Sequence, residues 1–461
     1  MSLKKSQHPA RCDKPRFSSL TRRGFLVRSA AALSVSSFVF NSPNQAKTMT
    51  PSDTDTVLVT AAPEKPQAAE NHSIRPFTYR APQSELDDLR RRIAATRLPE
   101  KEPVSDFSQG VKLATVQKLA HYWATQYDWR RVEAKLAALP QFITEIDGLD
   151  IHFAHVRSKH ENALPIIITH GWPGSLVEQI KIIDPLVNPT AHGGKASDAF
   201  HVVVPNIPGY GFSGKPTTTG WGPERIARAW AVLMKRLGYM RYVAQGGDWG
   251  ALITDVMATQ GHPELIGIHS NMPGVVPPEI DKALAAGSPV PAGLSADEKL
   301  AYEMLAFTYK NVQYAFYMAW HPQTLTALAD SPVGLATFLI DHDPRSLEMI
   351  GRSFDGQPEG LTPDDVLDNA TYFWLTNTAV SSSRLYLENK LNYFSPKNVR
   401  IPVAVSVFPD ELYQAPRSWT KAAYPNLIHF NKLPKGGHFA AWEQPQFFVE
   451  ELRVGFRSLR S

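Results

Sequence analysis

The sequence predicts an α/β protein with a mostly parallel sheet, helices on both faces of that sheet, an inserted helical cap and an N-terminal helical extension. Short β-rich apolar runs alternate with helix-length segments from residue 151 onwards, which is typical of a parallel sheet covered on both sides. Residues 272–399 separate the fourth and fifth of these runs and are rich in aromatic and helix-forming side chains. Because a structureless loop is rarely so long, this segment predicts an inserted domain.

Composition and charge exclude several classes of protein. Of the 461 residues, 43% are hydrophobic and 20% are charged, so the chain is neither disordered nor collagen-like and can bury a sizeable core. Residues 1–50 hold nine Lys and Arg against one Asp, and residues 51–461 carry a net charge of −4. We therefore expect no nucleic-acid partner for the folded part of the chain.

The cysteine count and the hydropathy give two further exclusions. The only cysteine is Cys12, so an internal disulfide cannot form and the body of the chain has no thiol for catalysis or metal binding. No stretch reaches the roughly 18 uninterrupted apolar residues that a spanning helix needs. We expect no stable membrane span.

Residues 1–46 predict an export signal. Arg22 and Arg23 precede a weakly apolar run, residues 30–40, and this order is typical of a twin-arginine signal, which predicts a periplasmic protein. The alternative is a disordered basic tail. Residues 47–73, rich in Thr, Pro, Ala and Gln, predict a linker, so folded structure is expected from about Ile74.

Residues 74–150 predict an N-terminal domain with two helical regions. In residues 84–97, apolar side chains recur at helical spacing behind Ser84-x-x-Asp87, which we interpret as a helix cap. Residues 111–139 form the second region, and its aromatic side chains are expected to pack in the core. These aromatics are Tyr122, Trp123, Tyr127 and Trp129.

The predicted strands divide the rest of the chain. Residues 151–271 are expected to form the first part of the core, residues 272–399 the helical cap and residues 400–461 the second part of the core. The strands are expected at residues 166–169, 201–204, 242–245, 266–269, 403–407 and 427–430.

A glycine-rich turn after the third of these strands carries the candidate nucleophile. Gly246-Gly247-Asp248-Trp249-Gly250 is followed by a helical stretch, and a sharp strand-to-helix turn needs small residues two positions before and after its apex. This pattern is the nucleophile elbow of α/β-hydrolases, with Asp248 where esterases carry Ser. On these five residues alone, Asp248 could equally be a helix N-cap.

A second motif favours the catalytic interpretation. His170-Gly171-Trp172-Pro173-Gly174 follows the first predicted strand, and in an α/β-hydrolase core the loop after that strand donates a backbone N–H to an oxyanion hole. We assign the two donors to the backbone amides of Trp172 and Trp249. The alternative is a Gly-Pro turn without a function.

The candidate base and acid follow the last two strands. His438 lies in Gly436-Gly437-His438-Phe439, and Glu411 lies in Phe408-Pro409-Asp410-Glu411. Nucleophile, acid and base then occur in the α/β-hydrolase order Asp248, Glu411, His438. Both Asp410 and Glu411 stand just past a strand end, so position alone leaves either as the acid.

Several longer motifs resemble the microsomal and juvenile-hormone epoxide hydrolases, and the resemblance extends from about Ile74 to the C-terminus. It implies that two cap tyrosines, Tyr314 and Tyr386, hold the epoxide oxygen, although Tyr309 and Tyr317 lie close enough to Tyr314 for an error of register. It also favours Glu411 over Asp410. The motifs are residues 127–130, 146–153, 170–175, 245–250, 330–335 and 437–441.

The resemblance implies hydrolysis of an apolar epoxide by water to a vicinal diol, through an ester on Asp248, with no metal or organic cofactor. A dehalogenase is the nearest alternative, because it would use the same Asp, His and acid but would bind halide with indole or amide donors. A binding protein without catalysis is a second alternative, since fold does not guarantee chemistry. A homo-oligomer is left open.

Overall fold

Residues 71–460 are described by a computed structural model, and their strands join into one sheet. All six strands predicted from the sequence are present, and three further strands precede them. The nine strands are β1 Arg75–Pro76, β2 Gln141–Ile146, β3 Leu149–Val156, β4 Leu164–Thr169, β5 Phe200–Pro205, β6 Tyr242–Gly246, β7 Leu265–Ser270, β8 Val403–Val407 and β9 Leu427–Lys432.

The sheet is mostly parallel, as predicted. Its strand order is β1-β2-β3-β5-β4-β6-β7-β8-β9. In this order, neighbouring strands are antiparallel from β1 to β5. From β5 through β4 to β9, neighbouring strands are parallel. The side chains of β5 and β6 are all buried, because helices cover both faces of the central strands.

Sixteen α-helices lie within residues 71–460. They are α1 Gln83–Ala94, α2 Leu113–Thr125, α3 Trp129–Ala137, α4 Leu176–Val187, α5 Pro223–Arg236, α6 Trp249–Thr259, α7 Pro278–Ala285, α8 Ala296–Asn311, α9 Gln313–Trp320, α10 Pro332–Ile340, α11 Pro344–Phe354, α12 Pro363–Thr376, α13 Ala379–Glu388, α14 Arg417–Ala423, α15 Ala440–Glu443 and α16 Pro445–Gly455. In the core, α5 packs against α6, whereas α4 packs against α15 and α16. No helix within these residues is both long and apolar enough to cross a membrane.

The N-terminal segment departs from the sequence prediction at its first helix. Helix α1 begins at Gln83, its N-cap is Pro82 and no side chain caps it. The predicted cap at Ser84 is therefore wrong, because proline presets the backbone for a helix entrance and Ser84 already lies in the first turn. The second helical region is two helices, and Asp128 begins the second one by accepting a hydrogen bond from the Arg130 N–H.

The predicted boundary at residue 150 falls within β3, so the N-terminal segment adds strands to the common sheet. Its aromatic side chains pack as expected, since Trp123, Tyr127 and Trp129 are buried. Residues 1–70 lie outside the described part of the chain, and the predictions for Cys12, the twin-arginine pair and most of the linker fall there.

Helices α7 to α13 form the inserted cap, as the sequence predicts. The N-terminal helices hold α12 in place by several polar contacts. The Arg131 guanidinium lies 2.7 Å from the Asp368 carboxylate, and the Trp123 indole N–H donates to the Thr371 hydroxyl at 3.0 Å. The N-terminal segment therefore helps to fix the cap above the core.

Candidate active site

The turn after β6 places Asp248 at a sharp apex. Asp248 has φ 48° and ψ −128°, a conformation that costs a non-glycine residue about 1–3 kcal/mol. A Cβ at Gly246 would collide with the Gly250 carbonyl, and a Cβ at Gly250 would collide with the Thr169 carbonyl. The flanking glycines are therefore required for the turn, as the sequence motif predicts.

Backbone amides surround the Asp248 carboxylate. The Trp172 N–H donates to Asp248 Oδ1 at 2.7 Å. Trp249 is the first residue of α6, so its N–H is one of the free donors at a helix N-terminus. A Cβ at Gly171 would collide with the Asp248 side chain, and only glycine therefore lets this loop approach so closely.

The loop that carries Trp172 is itself held by the cap. Asn369 of α12 donates a hydrogen bond to the Pro173 carbonyl at 2.7 Å and accepts one from the Ser175 hydroxyl at 2.7 Å. Because Ser175 also caps α4, one amide side chain connects the cap, the loop and a core helix. The peptide bond between Trp172 and Pro173 is cis.

His438 is placed between two carboxylates. Its Nδ1 lies 2.7 Å from Glu411 Oε1, and its Nε2 lies 3.8 Å from Asp248 Oδ2. The neighbouring Asp410 has a side chain that is 48% exposed and lies 3.7 Å from the Arg345 guanidinium. Of the two acids that sequence position left open, the structure brings Glu411 to His438.

Charge and hydrogen bonding favour the protonated form of His438. Burial lowers its pKa, but the Glu411 carboxylate outweighs this through its charge and its hydrogen bond, and with the charges of Asp248 and Asp343 it raises the pKa to about 10. The residues on either side of His438 are fixed by Glu443, which accepts hydrogen bonds from the Gly437 and Phe439 N–H groups at 2.9 Å each. Sequence reasoning missed Glu443.

The two predicted cap tyrosines flank the two tryptophans of the site. The Tyr314 ring stacks on Trp172 with ring centroids 4.7 Å apart, and the Tyr386 ring meets Trp249 edge to face at 4.7 Å. Burial raises the pKa of both phenols well above the ordinary value, and the charge of Asp248 raises it further. Both hydroxyls are therefore protonated donors at neutral pH.

The neighbours of Tyr314 lie elsewhere. The Tyr309 hydroxyl donates to Asp281 Oδ1 at 2.5 Å, and Tyr317 is 39% exposed. Of these three tyrosines, Tyr314 is the one that contacts Trp172. One tyrosine that the sequence did not single out, Tyr393, is half-buried with a buried hydroxyl, and its ring lies 5.2 Å from the Trp249 ring.

A cavity of about 30 Å³ lies beside the Asp248 carboxylate, which is room for a water molecule. Tyr314 and Tyr386 are absent from its lining. The polar residues that line the cavity are Thr169, His170, Glu178, Gln179, Gln245, Asp248, Asn271 and His438.

Glu178 is a further acid that sequence reasoning missed. Its carboxylate packs directly against Gly174, where a Cβ would collide with it, and Gln179 donates to it at 2.7 Å. Burial raises the pKa of Glu178 to about 8, and the nearby charge of Asp248 adds to this effect. The sequence signal that could have identified Glu178 is a charged residue on the apolar helix after the His170–Gly171 motif.

Another histidine was also missed. His342 lies between α10 and α11, with its ring centroid 4.1 Å from that of His438 and its Nδ1 2.9 Å from Asp343 Oδ2. Asp248, His342 and His438 each offer a ligand atom, and these atoms all lie within 4.8 Å of one another. This trio is the group of the described residues that could hold a metal ion.

Comparison with known proteins places this site in a family. The family model "Epoxide hydrolase N terminus" matches residues 74–179, and the model "alpha/beta hydrolase fold" matches residues 165–337. The chain is 34% identical to epoxide hydrolase 1 of Oryctolagus cuniculus over 84% of this chain and 90% of that protein. It belongs to the epoxide hydrolase family. The resemblance and the α/β-hydrolase fold seen in the sequence are thereby confirmed.

Other members of the epoxide hydrolase family agree in length and fold. A protein of Stigmatella aurantiaca, provisionally named an epoxide hydrolase, is 50% identical over 84% of this chain and 86% of its own. The crystal structure of juvenile hormone epoxide hydrolase from Bombyx mori matches with a TM-score of 0.75 and 29% identity, and it covers 85% of this chain and 96% of that one. The family relationship therefore extends over the N-terminal segment, the core and the cap together.

Proposed function

We propose that this epoxide hydrolase converts an apolar epoxide and water to a vicinal diol through an ester on Asp248. The observation that supports this assignment best is the position of the Asp248 carboxylate, which accepts the Trp172 N–H at 2.7 Å and acts on two half-buried phenols, Tyr314 and Tyr386, through its charge. A carboxylate nucleophile beside two protonated phenols matches the two needs of epoxide opening, an attacking oxygen and a proton donor.

In the first step, a carboxylate oxygen of Asp248 attacks one epoxide carbon. The carbon–oxygen bond of the ring breaks as the new ester bond forms, and the departing oxygen becomes an alkoxide. Tyr314 and Tyr386 donate hydrogen bonds to this oxygen, and one of them transfers its proton. Burial raises the pKa of both phenols, so the proton that the alkoxide needs is present before the reaction starts.

In the second step, water attacks the carboxyl carbon of the ester. His438 takes a proton from this water, and the backbone N–H groups of Trp172 and Trp249 stabilise the oxyanion that forms. The tetrahedral intermediate then collapses: the ester carbon–oxygen bond breaks, the departing alkoxide takes the proton that His438 holds, and the diol leaves. The new carboxyl group of Asp248 passes its proton to His438, which restores the Asp248 carboxylate and the protonated imidazole. The cavity lined by Glu178 and His438 is a suitable place to hold the water before it attacks.

The first step prepares the base for the second. The Asp248 charge is one of the causes that raise the pKa of His438 to about 10. Ester formation removes this charge, so the pKa of His438 falls and its proton passes to the tyrosine that was ionised in the first step, which leaves a neutral imidazole as the base for the second step. Glu411 remains paired with His438 and keeps the ring oriented with Nε2 towards the ester.

A panel of styrene-type, terpene and aliphatic epoxides tests the proposal. The wild-type protein should form diol from at least one of them without an added cofactor, and Asp248→Asn should form none. Matched chloroalkanes added to the same panel test the dehalogenase alternative. Halide release without diol formation would contradict the assignment.

We also propose export by the twin-arginine route. The support is the sequence of residues 1–46, where Arg22 and Arg23 precede a weakly apolar run. These residues lie outside the part of the chain that the structure describes.

A further inference from the structure

The site contains two histidines that share one arrangement. In His438, Nδ1 lies 2.7 Å from the Glu411 carboxylate, and in His342, Nδ1 lies 2.9 Å from the Asp343 carboxylate. A carboxylate on Nδ1 holds the N–H there and leaves the lone pair of the neutral ring on Nε2. Histidines that bind metal ions in proteins are oriented in this way.

The free nitrogen of His342 has no use in the catalytic steps described above. His342 is 3% exposed, and its Nε2 is buried without a hydrogen-bond partner within residues 71–460. A buried polar atom without a partner costs free energy, so a purely structural role for this side chain would leave half of its hydrogen-bonding capacity unexplained. A ligand at Nε2 would account for it.

The distances suit a small cation. Asp248 offers a carboxylate oxygen, and His342 and His438 each offer a ring nitrogen, all within 4.8 Å of one another. His438 Nε2 is already 3.8 Å from Asp248 Oδ2. In a tetrahedral zinc site with bonds of about 2.0–2.1 Å, the ligand atoms are roughly 3.3 Å apart. Closing the site requires shifts of about an ångström and a turn of the His342 ring, which now lies at 32° to that of His438.

The charges also favour a cation. The Glu411 and Asp343 carboxylates lie 2.7 Å and 2.9 Å from the two imidazoles, and Asp248 adds a third carboxylate to the site. Two imidazoles and one carboxylate suit zinc better than magnesium, because magnesium prefers oxygen ligands. Three protein ligands would leave the fourth position to water.

We propose that Asp248, His342 and His438 form a zinc-binding site, and that an ion bound there reversibly inhibits epoxide hydrolysis. The ion would occupy both the nucleophile and the base, and His438 would release its proton when the ion binds. The inhibition rests on the function proposed above, whereas zinc binding by itself does not.

Calorimetric titration of the whole protein with zinc chloride tests the site directly. We expect one zinc ion per chain, no comparable binding of magnesium chloride, and release of about one proton. His342→Gln should weaken zinc binding at least about tenfold, whereas His321→Gln, which changes an exposed histidine, should bind zinc like the wild type. Asp343→Asn leaves all three ligands in place and should weaken binding by about 10-fold to 100-fold, because it removes the partner that orients His342.

Activity measurements complete the test. Zinc should inhibit diol formation by the wild type, a chelator should restore it, and His342→Gln should form diol without zinc and resist inhibition. The proposal is overturned if the wild type binds no zinc, or if both His342→Gln and Asp343→Asn bind it as tightly as the wild type. A protein that binds zinc through His342 but opens no epoxide would instead overturn the proposed function and leave the site intact.

Discussion

Glu411 Oε1 lies 2.7 Å from Nδ1 of His438, and the two side chains are 1% and 3% exposed. The Leu412 N–H donates to the same carboxylate oxygen at 2.8 Å, so the backbone fixes the carboxylate that pairs with His438. Asp410, one residue earlier, turns towards solvent and Arg345. Two adjacent carboxylates thus occupy very different environments, and their substitution should have different effects.

Replacing Glu411 should separate the two chemical steps. We expect Glu411→Gln to let the alkyl-enzyme ester accumulate, because His438 loses the charge that orients it and stabilises its protonated form during water attack. The loss in ester hydrolysis should be on the order of 10² or more. Rapid quenching followed by mass spectrometry of the intact protein measures the ester. Asp410→Asn is the control and should turn over normally, and the reverse result would transfer the role to Asp410.

Removing the tyrosine hydroxyls should slow the first step instead. Tyr314→Phe and Tyr386→Phe should each lower the rate of ester formation by on the order of 10², and the double substitution should nearly abolish it, because one remaining hydroxyl still supports the alkoxide. Single-turnover kinetics measures this rate. Tyr317→Phe, at a tyrosine that is 39% exposed, serves as the control. Normal epoxide opening by the double variant would refute the assignment and favour the dehalogenase alternative.

Isotope labelling distinguishes a covalent nucleophile from a base that activates water. In the covalent route the oxygen added to the epoxide comes from Asp248, and solvent replaces it when the ester is hydrolysed. With enzyme in excess, one turnover in ¹⁸O-water should leave the label in the Asp248 peptide and give largely unlabelled diol. Labelled diol with an unlabelled peptide would refute the two-step route even if Asp248→Ala were inactive.

Glu178 should change the pH dependence of stability. Its pKa rises from an ordinary value of 4.5 to about 8 on burial, so the folded protein binds a proton there that the unfolded chain releases above about pH 4.5. The stabilisation is complete below that pH and is lost as the pH rises towards 8. The Glu178→Gln variant cannot ionise at this position. The unfolding temperature of this variant minus that of the wild type should therefore be more positive at pH 9 than at pH 5. An equal difference in unfolding temperature at pH 9 and at pH 5 would show that Glu178 is not protonated in the folded state.

A second substitution of Glu178 tests the role of the water cavity. If Glu178 positions the water that attacks the ester, Glu178→Leu should slow ester hydrolysis and leave the rate of ester formation unchanged. A purely structural role would lower both rates together. The two rates come from the burst and the steady state of one time course, and Glu178→Gln should retain more of the hydrolysis rate because its amide can still hold water.

Export has a simple test. Replacing both Arg22 and Arg23 by Lys should leave the precursor in the cytoplasm, because the twin-arginine pair acts as an address that a receptor reads. Fractionation of cells that express the full chain measures the distribution. A single Arg22→Lys change is the milder comparison, and an unchanged periplasmic yield of the double variant would refute the prediction.

The residues that could be predicted belong to local patterns. Asp248 stands between glycines that a sharp strand-to-helix turn requires, and no distant part of the chain is needed to see this. The strands around it are apolar runs that a doubly covered parallel sheet buries completely. The prediction of the N-cap of α1 failed because Ser84 and Pro82 are both common at helix starts. The sequence pattern favoured Ser84, whereas the structure has Pro82 as the N-cap.

The amino-acid sequence alone determined the fold class, the order of the strands along the chain and the sharp turn that carries the candidate nucleophile, because each depends on residues that are near neighbours. The tertiary structure alone decided which carboxylate reaches His438. It also decided that Glu178 and His438, which are 260 positions apart, line one cavity, and that His342 of the cap lies against His438. The first two contacts join core segments that are far apart along the chain, and the third depends on how the cap closes over the sheet. Packing between distant segments, with burial and charge acting over a few ångströms, sets them, and no local periodicity records that packing.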